Sequence, residues 1–106
     1  MTVRHRLVVA PRAESDLRDI YRHTAQSFDP AQAEKYLARM EKAFLDLLRH
    51  PEIGRERPDI KPGYRCLPVE KHLVFYVIRK REIHILGVPH MRMDVQNYFT
   101  GKSKRP

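Results

Sequence analysis

Two apolar stripes of helical period, separated by a break only about three residues long, constrain the fold of this chain more than any other feature of its sequence. Ala13, Leu17, Ile20, Tyr21, Thr24 and Phe28 recur at helical spacing and predict a helix from about Pro11 to Gln26. Pro11 suits the first helical position, where its missing N–H would have no partner in any case. Glu14 and Asp16 suit the positive end of the helix dipole. Asp29-Pro30 then starts a second helix, with Asp as N-cap and Pro directly behind it. Ala33, Tyr36, Leu37, Met40, Phe44, Leu47 and Leu48 form its stripe, which ends near His50 before Pro51. So short a connection makes the two helices antiparallel neighbours, a helical hairpin with one apolar face to cover.

The rest of the chain supplies strands to cover it. Arg6 to Ala10 is short, apolar and β-branched, and Pro11 ends it. Residues 51–63 are punctuated by Pro51, Gly54, Pro58, Pro62 and Gly63, and read as a surface connection. Tyr64 to Val69 alternates, but Pro68 cannot donate to a ladder, which predicts an edge strand or a bulge. His72 to Ile78 is nearly all apolar, as a central strand is, and Ile83 to Val88 returns after a solvated tip at Arg79-Lys80-Arg81-Glu82. Val95 to Phe99 is read as one helical turn. The order β-α-α-β-β-β predicts an α+β domain, the hairpin packed on one face of an antiparallel-rich sheet. Leu17, Ile20, Leu37, Met40, Phe44, Leu47, Val74, Phe75, Val77, Ile83 and Ile85 are expected to form one contiguous core. Residues 1–99 are expected to make a single domain, and 100–106 a basic tail.

At 106 residues the chain has the length of one domain. No apolar run approaches the ~20 residues of a membrane span, and the N-terminus carries no signal-peptide pattern, so the chain reads as cytoplasmic. A single cysteine, Cys66, excludes an internal disulfide and a multi-cysteine zinc site. Twenty-one Lys and Arg against thirteen Asp and Glu leave a net charge of +8. A surface so basic attracts anions, whether nucleic acid, a nucleic-acid enzyme or an acidic protein.

The chemistry of the sequence is sparse. Its four glycines are scattered, so no phosphate-cradling loop occurs, and its six histidines lack metal-ligand spacing. Cys66 beside Pro68 reads as a small packed hydrophobe. No cofactor is implied. One constellation stands out: Arg57, Arg65, His90 and Tyr98, with Lys61 and Arg92 close in sequence, all at loop or strand ends. Arg and His beside a phosphate could stabilise charge and move protons, as RNA cleavage through a 2′-OH requires. The same groups could equally solvate a sheet edge or bind an acidic partner.

In order and spacing, several segments resemble the ParE/RelE-type toxins of bacterial type II toxin–antitoxin systems. They are Ala13 to Tyr21, Ala33 to Leu48, His50-Pro51-Glu52-Ile53-Gly54-Arg55, Pro62-Gly63-Tyr64-Arg65, His72 to Tyr76, and Ile83 to His90 with Met93-Asp94. The resemblance runs from about Val3 to Asp94. It implies a toxin held by a cognate antitoxin, with a C-terminal segment disordered on its own, in a hetero-oligomer. The long hairpin, the Gly54-Arg55 turn and the ending at His90, Met93 and Asp94 look like the ParE branch, whose members poison DNA gyrase by binding. Arg55, Arg57, Lys61, Arg65, His90 and Arg92 are then the expected contacts with target or antitoxin. The RelE branch cuts mRNA on the ribosome, and Arg57, Arg65, His90 and Tyr98 are the residues that such a ribosome-dependent endoribonuclease would use. That branch often has an aromatic residue close behind the strand-end His, where this chain has Met91.

Overall fold

Each helix of the hairpin begins at a proline, as its sequence dictates. In the computed structural model, which describes residues 5–100, α1 spans Pro11–Ser27 and α2 spans Pro30–Arg49. Asp29 caps α2 by accepting the Gln32 N–H at 2.8 Å. Phe28, counted in the apolar stripe of α1, lies one residue past its end, and 70% of its surface is exposed. A stripe extrapolated beyond the last helical turn no longer points where the helix would have put it.

Five strands follow the order β1-β5-β4-β3-β2 across one sheet. They are β1 (Arg6–Val9), β2 (Arg55–Glu56), β3 (Arg65–Val69), β4 (His72–Arg79) and β5 (Glu82–Gly87). β1 pairs with β5 in parallel and every other pair is antiparallel. The expected α+β class and order hold, with β2 as an added element inside the segment read as a connection. β2 covers only Arg65 and Cys66, so β3 remains an open edge at Pro68, where no donor is needed. A last helix, α3, spans Val95–Thr100. Thr100 apart, the basic tail expected over 100–106 lies outside the described residues.

The core differs from the expected single cluster because the pleat of β4 sends successive side chains to opposite faces. Val74, Tyr76 and Ile78 pack with Met40, Phe44, Leu47, Ile83 and Ile85 on the helical side, where Leu17 and Leu37 join from the rim. Phe75 and Val77 are as deeply buried but point the other way. There the Phe75 ring meets Phe99 of α3 edge-on, at 5.1 Å between centroids. The domain therefore has two unequal apolar layers, and α3 provides the cover for the second.

A bulge fixes that second layer. Tyr76 pairs with Ile85 but Phe75 with Gly87, which leaves Leu86 as an extra residue on β5. The extra residue turns Gly87 toward α3. A Cβ added at Gly87 would lie 2.8 Å from ring carbon Cε2 of Tyr98. Tyr98 cannot retreat freely, because its hydroxyl donates to Asp16 of α1, which also accepts the Val88 N–H at 2.8 Å. Gly87→Ala is therefore expected to destabilise the fold by about 1–3 kcal/mol through overpacking. Tyr98→Phe, which keeps the ring, should cost less, about 1 kcal/mol. Thermal melting of the two variants checks the order.

Candidate functional site

The residues singled out in the sequence are not brought to one centre. Arg65 sits at the start of β3, opposite Tyr76 of β4. His90 bridges His72, four residues away along β4, a separation of about 13 Å at strand spacing. The Arg57 guanidinium lies 5.7 Å from the Phe75 ring centroid, on the face of the sheet away from the hairpin. Tyr98 is 8% exposed and its hydroxyl turns toward Asp16. Burial, then Asp16, raises the Tyr98 pKa well above the usual phenol value, so this hydroxyl is a poor proton source. The Arg12 guanidinium lies 4.2 Å from the centroid of the same ring, a cation–π contact that closes over it.

Two of the arginines are occupied by the structure around them. Arg65 Nη1 donates to the carbonyls of Gly54 at 2.7 Å and Glu52 at 3.2 Å, and Nη2 donates to Glu56 at 3.2 Å. Its side chain is 18% exposed. Tyr76 secures the same segment from below: its hydroxyl accepts the Gly54 N–H at 2.8 Å and donates to the Pro51 carbonyl at 2.7 Å. Arg57 grips Asp59 through two bonds, at 3.0 and 2.9 Å, and holds that carboxyl below the usual carboxylate range. Arg55, Lys61 and Arg92 are exposed. The expected group thus divides into structural cations, Arg57 and Arg65, and surface cations, Arg55, Lys61 and Arg92, with His90 beside Arg92 and away from Arg65.

Sequence reasoning missed the polar network around His90. The Lys71 N–H donates to the Tyr36 hydroxyl at 2.9 Å, and that hydroxyl shares a second hydrogen bond with His72 Nδ1 at 2.7 Å. His90 stacks edge-on against His72 at 5.1 Å, and its Nδ1 accepts the Arg92 N–H at 3.1 Å. Tyr36 had looked like one more member of an apolar stripe, and its spacing said nothing of the β3–β4 turn that meets it. Burial, and then the charge of His90, lower the His72 pKa from 6.5 to about 4. Among the described residues, no group of three or more His, Cys, Asp or Glu is placed to hold a metal ion. No helix among them is long and apolar enough to cross a membrane.

Comparison with known proteins places this architecture among the toxins of the RelE/ParE type. A solved structure described as the chromosomal ParDE TA system from P. aeruginosa superposes with a TM-score of 0.75 at 25% identity, covering 86% of this chain and all of that one. Toxin ParE1 of Mycobacterium tuberculosis (strain ATCC 25618 / H37Rv) is 36% identical over 91 residues, 85% of this chain and 93% of its own length. Toxin ParE of Escherichia coli is 28% identical over 98 residues, 92% of this chain and 95% of its own. The model of the ParE toxin of the type II toxin–antitoxin system, parDE, matches residues 7–95. The chain belongs to the ParE toxin family.

Two outcomes follow from this geometry. Arg65→Ala is expected to cost about 1–3 kcal/mol, because it strands two carbonyls, while Lys61→Ala should change stability by less than about 0.5 kcal/mol. Urea unfolding of both variants measures the difference. The second outcome concerns pH. As pH falls from 6.5 toward about 4, the unfolded chain takes up a proton that folded His72 does not. The His72 contribution is whole above about pH 6.5 and is lost as pH falls through that window, which lies above the range where Glu82 and Asp59 titrate. His72→Gln should flatten the dependence between about pH 7 and 5 in unfolding titrations.

Proposed function

We propose that this toxin inhibits DNA gyrase by binding it, with no bond made or broken by its own side chains. The observation that carries the reading is the match to the ParE family along residues 7–95. The engagement of Arg57, Arg65 and Tyr98 in the fold supports it, since it separates them from His90, with which a nuclease reading groups them. The contact surface is the exposed set Arg55, Lys61 and Arg92 with His90, above a 51–64 segment shaped by Arg57 and Arg65. The cytoplasm is then its place of action.

A cognate antitoxin completes the reading. The P. aeruginosa relative is a ParDE toxin–antitoxin system, which supports a paired antitoxin and a hetero-oligomeric complex here. A segment of that antitoxin, disordered alone and acidic, would be steered by the +8 charge and would fold as it covers apolar surface.

The test has two arms. Purified toxin is expected to stop supercoiling by gyrase and trap cleaved DNA, and to leave mRNA on programmed ribosomes intact. Replacing Arg55 and Arg92 together by Gln should raise the inhibitory concentration about tenfold, a loss of about 1.4 kcal/mol of contact. Cleavage of A-site mRNA that disappears in His90→Ala, with gyrase unaffected, would overturn the reading in favour of a nuclease.

A further inference from the structure

A cavity of about 430 Å³ opens where the end of α1, the start of α2, the β3–β4 turn and the end of β5 meet. That volume falls within the range of about 300–1,000 Å³ typical of small-molecule sites. Its polar lining has a consistent sense. His90 Nδ1 accepts the Arg92 N–H, so a neutral His90 carries its proton on Nε2, and His72 Nδ1 is taken up by the Tyr36 hydroxyl. Both imidazoles line the cavity, and Lys71 and Arg39 add cations to the lining. None of the described lining residues is acidic; Glu70, outside the lining, lies 3.7 Å from Arg39. A wall rich in donors and free of carboxylates calls for a ligand rich in acceptors and negatively charged.

The apolar lining narrows the class further. Phe28 stands at the cavity with 70% of its surface in water, and the Tyr36 ring lies inside. A free phosphate would touch neither and would fill little of the space. A planar aromatic body stacked on these rings would bury Phe28, and nucleic-acid bases stack readily on Phe, Tyr and His. We propose that the cavity binds a nucleoside monophosphate, its phosphate held by Lys71, Arg39 and the Nε2–H of His90, its base against Phe28 and Tyr36. The proposal does not rest on the gyrase reading, although the two share His90.

The experiment is an NMR titration of the ¹⁵N-labelled full chain with AMP, adenosine and inorganic phosphate in parallel. AMP is expected to bind roughly tenfold more tightly than either fragment, with saturable shifts at Thr24, Ser27, Gln32 and Lys71. Phe28 and Lys71 are exposed, so their replacement should leave the fold intact. Phe28→Ala should weaken AMP about tenfold and leave phosphate unchanged, whereas Lys71→Ala should weaken both. Arg81→Gln, in the basic β4–β5 turn, should alter neither. The proposal is overturned if AMP causes no saturable shift at millimolar concentration, or binds no better than phosphate. It also fails if the shifts centre on Arg79 to Arg81 and ignore Phe28→Ala, which would mark general attraction to a basic surface.

Discussion

The central strand β4 is apolar on both faces, and most of the architecture answers that one constraint. Val74 and Tyr76 demand a cover on one side, and Phe75 and Val77 on the other. The hairpin of α1 and α2 is the large cover, and its stripe is long enough to span the sheet. The small cover is a helix of six residues, α3, which could not persist alone at that length. It is held by tertiary contacts: Phe99 against Tyr64 and Phe75, and Gln96 bonded to the Asp59 carbonyl.

Asp16 links the two covers. It is a helix residue on the hairpin side, yet it accepts the Val88 N–H at the end of β5 and the Tyr98 hydroxyl of α3. One carboxylate therefore ties the first helix, the last strand and the last helix together. The β5 bulge belongs to the same arrangement, since it sets Gly87 opposite Phe75 on the α3 face, where an added Cβ would meet the Tyr98 ring.

What the sequence makes legible is local or periodic. The hairpin was readable because prolines mark both helix starts and the stripes run without interruption. The central place of β4 was readable from its unbroken apolar run. β2 was hidden because two residues carry no period, and its pairing with β3 depends on Arg65 and Tyr76 pinning the preceding turn. The roles of the cations were hidden for a related reason. Nothing in the spacing distinguishes Arg65, whose guanidinium is spent on backbone carbonyls, from Arg55, which remains exposed. Tyr36 and His72 lie 36 residues apart, so their bond is visible only in three dimensions.

The parallel pairing of β1 with β5 carries a consequence in time. Arg6 meets Glu82 across a gap of 76 residues, so β1 has no sheet partner until β5 has been made. The hairpin can close early on short-range contacts, but the sheet edge and the Asp16 linkage wait for β5 and α3. A chain that stops before Tyr98 lacks the cover for Phe75 and leaves that apolar surface open to water.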